Sequence, residues 1–548
     1  MNLRARLTIA VLAAVPVVVL VVFFLYPVGG MLARGVWPDG RFDPGAVASV
    51  LGRPRVHRVL WFTVWSAGVA TLLSVVLGVP AAFVLHRLRF PGIGLLRTLV
   101  VLPFVLPTVV VGVAFRQLIA PSGPLGGLHL DGTPVAIVAA LVFFNVSVVV
   151  RTVGAFWESL DRRAEEAAAA LGARPVRVFA TVTLPGLLPG IVSAATVVFL
   201  FCSTAFGVVL TMGGLRYANV ETEIYLLTTQ ELDLSAAAAL SLLQLLVIVT
   251  LLALSARTRR SPAVARTSSQ ARRPRRRDTG LLLWTAVVVA FLLAPLVSLV
   301  LASVHTPGQD GGGWGLSHYR ALQTTGQGNA LLVPVTTALW TSLRIAVVAA
   351  SLALVLGCAV AFLVSRRWRT PAGRRLSAVF DGAFMLPLGV SAVTLGFGFL
   401  ITLDHPPLDL RASPMLIPIA QAMVALPLVV RTVAPVLLSV DERQREAAAS
   451  LGAGPLRVLL AVDLPLAWRA LVAATGFAFA VSLGEFGATS FLARDDNPTL
   501  PVVIYQLISH PGSANFAMAM AASVVLAAAT AAVMLLVERL RIGSVGAF

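Results

Sequence analysis

The chain has 548 residues, of which 58% are hydrophobic and only 12% charged, against about a quarter charged in an ordinary soluble domain. So few charges cannot cover a water-soluble fold of this size, and repeated apolar stretches near ~20 residues can each cross a ~30 Å hydrocarbon layer. The formal charge of +18 comes from arginine alone, with no lysine present, so where it lies decides what it means.

Arg4 and Arg6 precede a first apolar run from Ile9 to Tyr26. It ends in Pro27-Val28-Gly29-Gly30 with no clear small-x-small cleavage site, which favours a retained span over a signal peptide. Spans are predicted at about 9–30, 62–86, 95–118, 134–156, 188–212 and 233–257. A second set follows at about 280–303, 341–365, 377–402, 414–437, 468–492 and 514–537. This topology puts 27 arginines in loops on one side, nine on the other and six in span ends. That bias is the positive-inside rule, so the charge orients helices in a bilayer and does not mark a nucleic-acid surface. Both termini are expected in the cytoplasm. Cys202 and Cys358 fall in apolar spans, read as small buried hydrophobes and form no disulfide framework.

Between the sets, Arg257 to Asp278 holds nine arginines among Ser, Pro, Thr and Gln, and is expected to be a flexible linker that attracts anionic lipid. It divides the chain into 1–257, a linker over 258–279, and 280–548. A shift of 280 residues superposes Arg151-Thr152-Val153 on Arg431-Thr432-Val433 and runs without gaps to Leu184-Pro185 and Leu464-Pro465, with 19 identities in 35 positions. The densest identity lies in a polar loop, where shared membrane hydrophobicity cannot produce it. Weaker matches follow at Phe206-Gly207 and Phe486-Gly487, and at Tyr225 and Tyr505. Upstream, Gly78 and Phe83 match Gly357 and Phe362. The expected fold is an all-α membrane protein of about twelve transmembrane helices in two parallel six-helix repeats, with a solute path between them.

The duplicated loop carries the functional signal. Asp161 and Asp441 are N-cap residues before Ala/Glu/Leu runs that favour helix. Gly172 and Gly452 permit the left-handed residue that stops a helix, and Pro175 and Pro455 suit the first turn of a second, short helix. The result is a helix–turn–helix outside the membrane on the cytoplasmic side, its Ala-rich face open to a partner and Glu166 and Glu446 offering polar anchors. The pattern Glu166-Ala167-Ala168, Gly172, Val182, Leu184-Pro185, repeated as Glu446-Ala447-Ala448, Gly452, Val462, Leu464-Pro465, resembles the cytoplasmic loop of binding-protein-dependent ABC importer permeases.

That resemblance covers nearly the whole chain and implies a bacterial inner-membrane permease. It implies that each loop is a coupling helix seated on one of two copies of an ABC ATPase, with an extracytoplasmic solute-binding protein delivering the solute. A phosphate-binding P-loop needs a lysine, so ATP chemistry belongs to the partner and no cofactor is expected on this chain. No His-Glu-x-x-His spacing and no nucleophile triad is evident, which argues against an enzyme. An ion-coupled secondary transporter is the rival class, but it needs ionisable residues facing its core. The spans offer essentially Glu485, whose counterpart is Ala205.

Substrate is the less determined part. Glu485 either lines the path or hydrogen-bonds a neighbouring helix or an outer gate. The fused layout resembles iron(III) and thiamine importer permeases, and Thr499-Leu500-Pro501 with Tyr505-Gln506 resembles the thiamine type. Gly484-Glu485-Phe486-Gly487-Ala488-Thr489 is similar instead to molybdate and sulfate permeases. Iron(III) or thiamine is the leading expectation, with an oxyanion, a polyamine or another small solute behind. The outer segment Gly308 to Gly315, followed by a short amphipathic helix around His318-Tyr319-Arg320, reads as an ordinary connecting loop, with contact to a binding protein as the alternative; Glu221-Thr222-Glu223 could likewise dock a partner and is assigned no role.

Overall fold

The computed structural model describes residues 3–37, 44–214, 216–258, 271–306, 313–366, 371–404, 406, 408–494 and 496–540. The first half of the sequence contributes α1 (Leu3–Leu20), α2 (Tyr26–Val36), α3 (Pro44–Leu51), α4 (Pro54–Arg87), α5 (Ile93–Val105), α6 (Thr108–Ile119), α7 (Pro134–Ser159), α8 (Arg162–Ala170), α9 (Pro175–Val178), α10 (Leu184–Ser203), α11 (Gly207–Gly213), α12 (Val220–Thr229) and α13 (Leu234–Thr258). The second contributes α14 (Thr279–Val304), α15 (Ser317–Ala321), α16 (Val335–Ser365), α17 (Pro371–Gly389), α18 (Ala392–Thr402), α19 (Leu416–Ser439), α20 (Glu442–Ser450), α21 (Pro455–Val458), α22 (Leu464–Gly484), α23 (Thr489–Leu492), α24 (Leu500–Ser509) and α25 (Ser513–Leu540). A two-residue hairpin, His305–Thr306 against Gly313–Trp314, is the one paired sheet among the described residues.

Among the described residues ten helical stretches are long and apolar enough to cross a membrane, and two bent pairs, each taken as one span, raise the number to twelve. The bends correct the third and ninth expected spans, which were drawn straight. Helices α5 and α6 meet at 104° and α17 and α18 at 90°. The cause of the first is local. Pro107 forces Leu106 into an extended conformation (φ −71°, ψ 142°), and the helical ladder stops there. At the second, Pro387 and Gly389 end one helix, and the Ser391 side chain caps the next by accepting from the Thr394 N–H at 3.0 Å. The fifth and eleventh spans are corrected at both ends. They start at Pro175 and Leu456, and they stop at Ser203 and Gly484 rather than running to 212 and 492.

Among the described residues three single π turns occur, at Val21–Leu25, Phe179–Thr183 and Leu459–Asp463. Each is followed by one residue and then proline: Pro27, Pro185 and Pro465. Proline has no N–H to give the carbonyl four residues back and its ring crowds that oxygen, so the helix widens by one residue there. The Leu-Pro ending of the duplicated loop thus has a structural consequence. The helix starting at Pro175 is not a separate short helix but runs through its π turn into α10, and the stretch from Pro455 runs likewise into α22.

The chain forms two compact units that do not follow the sequence halves. One comprises 1–50, 224–245 and 318–546, and the other 51–223 and 246–317. In the first unit α16, α19 and α22 pack together, with α1 beside α16 and α2 against α18. Leu20 and Phe24 enter the same apolar core as Phe362, Phe384 and Phe399, and Pro27 closes on Gly398. In the second unit α4, α7 and α10 pack together, with α14 beside α4, α5 and α6. There Phe291 of α14 meets Phe115 and Phe143 edge-on, and Trp284 donates to the Leu77 carbonyl at 3.3 Å. The opening helix of each half is therefore built into the unit formed mostly by the other half. The central contact repeats: an added Cβ on Gly78 would lie 2.8 Å from Val149, and one on Gly357 would lie 2.6 Å from Val429.

The linker is less loose than its composition suggests. Residues 259–270 lie outside the described residues, but 271–278 are tied down. Arg272 exchanges backbone hydrogen bonds with Arg87 and Arg89 at the end of α4 (3.1 and 2.8 Å) and binds Asp278 through both guanidinium nitrogens (2.6 and 2.8 Å). That hydrogen bonding raises the Arg272 pKa above its ordinary value. Residues 308–312 of the Gly-rich segment are also outside the described residues. The helix expected near His318 exists as α15 and buries no side chain.

Candidate functional site

Each repeat presents one short helix that buries nothing of its own. In α8 the Asp161 carboxylate accepts from the Arg163 N–H at 2.9 Å, and in α20 Asp441 accepts from Arg443 at 3.0 Å. Both helices end in the same way. Gly172 and Gly452 have φ of +84° and +85°. The Gly172 N–H donates to Ala169 and the Ala173 N–H to Ala168 (3.0 and 3.1 Å), while Gly452 and Ala453 donate to Ala449 and Ala448 (both 3.0 Å). This double closure is the Schellman motif, which needs a left-handed residue at the glycine position. The loop then enters the long helix at Pro175 or Pro455.

The geometry sorts the side chains into an inward and an outward set. Ala168 and Ala448 are half-buried, whereas Glu166, Ala167, Glu446 and Ala447 are exposed. Glu166 lies 3.7 Å from Arg162, a loose i,i+4 pair. Beyond them stand two leucines that the sequence reading did not single out. Leu171 is 89% and Leu451 90% exposed, each one residue before the glycine. Each is a large apolar side chain held out at a helix end, outside the apolar spans.

The attachment of these helices to the body was also not legible from the loop alone. In the first repeat, Glu165 Oε1 accepts from Thr183 Oγ1 at 2.9 Å and from Arg87 Nη2 at 3.3 Å. In the second, Arg445 donates from Nε to Asp463 Oδ1 at 2.8 Å, from Nη1 to Glu442 at 3.2 Å and from Nη2 to the Leu437 carbonyl at 2.6 Å. Asp463 is fully buried, and its Oδ2 has no hydrogen-bond partner among the described residues. Arg366 lies near enough to feel that charge. Burial lowers the Arg366 pKa from its ordinary value, and Asp463 works against the shift.

Glu485 follows α22 and turns back on the chain. Its carboxylate accepts from the Ala488 N–H at 2.7 Å and the Thr489 N–H at 3.1 Å, and Thr489 Oγ1 donates to its carbonyl at 2.9 Å. It is a buried cap on the break between α22 and α23. The breaks themselves come from close approach. A Cβ on Gly207 would lie 2.3 Å from Thr108 Oγ1, and one on Gly487 would lie 3.0 Å from Ala392. This accounts for the repeated Phe-Gly, since only glycine lets the chain pass the bent helix. Glu221, Thr222 and Glu223, which the sequence leaves without a role, are buried and do not form an exposed docking surface. Glu223 is held by Arg55 through Nε at 2.6 Å and Nη2 at 3.1 Å.

Within the first unit, Tyr225 of α12 and Tyr505 of α24 are each half-buried. Each meets a phenylalanine ring: Phe491 at 5.4 Å and Phe486 at 5.5 Å, respectively.

Comparison with known proteins agrees with this geometry. The model of the binding-protein-dependent transport system inner membrane component matches residues 74–260 and again 353–541. The thiamine transport system permease protein ThiP of Escherichia coli (strain K12) is 29% identical over 461 residues, 82% of this chain and 83% of that protein. ThiP of Brucella abortus (strain 2308) is 30% identical over 502 residues, 88% and 87% of the two chains. The molybdenum transport system permease protein ModB of Mycobacterium bovis is 35% identical over 253 residues, 92% of its length but 44% of this chain.

Proposed function

Because this chain belongs to the binding-protein-dependent transport system inner membrane components, we propose that it forms the solute path of an ATP-driven importer of thiamine. As a member of that family it is a multi-pass inner-membrane permease of an ABC importer. The finer reading is ours. The helices α8 and α20 are the coupling helices, and each sits on one copy of a separate ATPase through Leu171 or Leu451 and the exposed Glu-Ala face. A binding protein loads the outer side, and both termini lie in the cytoplasm. The observation that carries the coupling role is the duplication of one rigid, outward helix end, with the same cap, the same Schellman closure and the same exposed leucine. Closure of the ATPase pair drives both helices, and the stiff helices entered at Pro175 and Pro455 pass that movement into the membrane.

Thiamine is preferred over iron(III) and molybdate on three grounds. The ThiP relatives match along 82% and 88% of this chain, fused halves included, whereas ModB matches a single half. Glu485 belongs to the segment similar to oxyanion permeases, but its oxygens take backbone N–H groups, so the segment speaks for a shared turn and not for a shared ligand. Tyr225, Tyr505 and Phe491, each partly exposed, offer aromatic faces that suit a flat cationic heterocycle. The test is uptake of labelled thiamine by cells expressing this chain with its cognate ATPase and binding protein. Uptake that ignores excess molybdate and stops when the ATPase is removed supports the proposal. Molybdate uptake in its place, or uptake without the ATPase, refutes it.

A further inference from the structure

Helices α8 and α20 have no buried residue, so no apolar core of their own fixes them to the permease. What fixes them is polar, and the two copies do it with opposite charge. Position 165 is Glu where 445 is Arg, position 183 is Thr where 463 is Asp, and position 162 is Arg where 442 is Glu, all at the 280-residue shift. The arginine behind them is kept, as Arg87 and Arg366 at the 279-residue shift that also relates Gly78 to Gly357. In both copies the helix side chain bonds the last residue of the π turn, Thr183 or Asp463, just ahead of Leu-Pro.

We propose that Glu165 and Arg445 are positioning residues, each latching its coupling helix to the π turn of the following span, and that the two latches are alternative charge solutions to one mechanical task. This rests on the coupling role proposed above. Without the latch the loop can swing at Gly172 or Gly452, and movement imposed on the coupling helix is lost before it reaches α10 or α22. With it, the helix and the span move together. The polarity of the latch is free, provided both ends agree.

That freedom gives the experiment. Thiamine uptake per ATP hydrolysed is measured in proteoliposomes holding this chain, its ATPase and its binding protein. Arg445→Glu sets a second acid beside buried Asp463, and Asp463→Thr removes the π-turn partner of Arg445, leaving it Glu442 and the Leu437 carbonyl. Each is expected to lower the ratio by about tenfold or more. The combined variant Glu442→Arg/Arg445→Glu/Asp463→Thr installs the first repeat's arrangement against Arg366, and is expected to return the ratio to within about twofold of the natural chain. A residue needed only for folding would lower the amount of working chain and leave the ratio of uptake to hydrolysis unchanged. A combined variant no better than Arg445→Glu, including one that fails to reach the membrane, overturns the proposal, as does an Arg445→Glu chain that couples normally. Gly172→Val/Gly452→Val in the same assay separates the two levels. If it couples normally, the coupling role itself fails. If it uncouples while Arg445→Glu is silent, only the latch fails.

Discussion

Replacing Gly172 and Gly452 tests the coupling loops through backbone conformation alone. A Cβ at either position meets nothing within 4 Å, so no clash confuses the result. The cost comes from φ of +84° and +85°, a region that costs an L-residue about 1–2 kcal/mol, and more when the side chain is β-branched. A chain that escapes the strain gives up the two Schellman hydrogen bonds, worth about 1 kcal/mol each. Valine therefore lowers the population of the docking-ready loop by about 5- to 30-fold per site, and roughly by the product when both sites are changed. Asparagine tolerates the left-handed region and has the same open space, so Gly172→Asn/Gly452→Asn should lose only a few tenths of a kcal/mol. The assay is co-purification of the ATPase together with thiamine uptake, at matched amounts of chain in the membrane. Asparagine as damaging as valine, or a silent valine variant, would refute the reasoning.

Other predictions bear on docking, capping and packing. Leu171→Asp/Leu451→Asp should abolish ATPase co-purification without lowering the thermal midpoint of the purified chain, because both side chains are almost fully exposed. A fall in the midpoint would show that these leucines pack on the permease. Glu485→Ala removes an acceptor for two backbone N–H groups and should cost about 0.5–2 kcal/mol, seen as a lower thermal midpoint. Glu485→Gln keeps one acceptor oxygen and should retain most uptake; equal loss in both variants would mean that the charge itself meets the solute. Gly78→Ala and Gly357→Ala each force a Cβ against a valine and should destabilise by about 1–3 kcal/mol, to a similar degree. A clear difference in thermal midpoint between them would contradict the repeated contact.

How much was legible in the chain depended on the range of the interaction. The twelve apolar stretches, the two repeats and the helix–Gly–helix loop were readable because hydropathy, capping and left-handed glycine act within a few residues. Asp161, Gly172 and their twins fall where the local pattern puts them. The bends at Pro107 and Pro387 were missed although proline announces them, because an apolar run was read as one straight helix. Glu165 and Thr183 lie eighteen positions apart, and neither stands out until both are set against Arg445 and Asp463 of the other repeat. The sign exchange between repeats was the available signal.

Composition, periodicity and duplication by themselves determined a membrane-spanning helical protein with two equivalent polar loops, because each of those properties is set by neighbours along the chain. Tertiary structure decided which unit receives the opening helix of each half, since an apolar helix carries no address and only the fit of Pro27 to Gly398 or of Phe291 to Phe115 supplies one. It also decided that Glu485 spends its oxygens on the turn beside it. A carboxylate's role is fixed by the donors within about 3 Å of it, and a linear sequence does not say which those are.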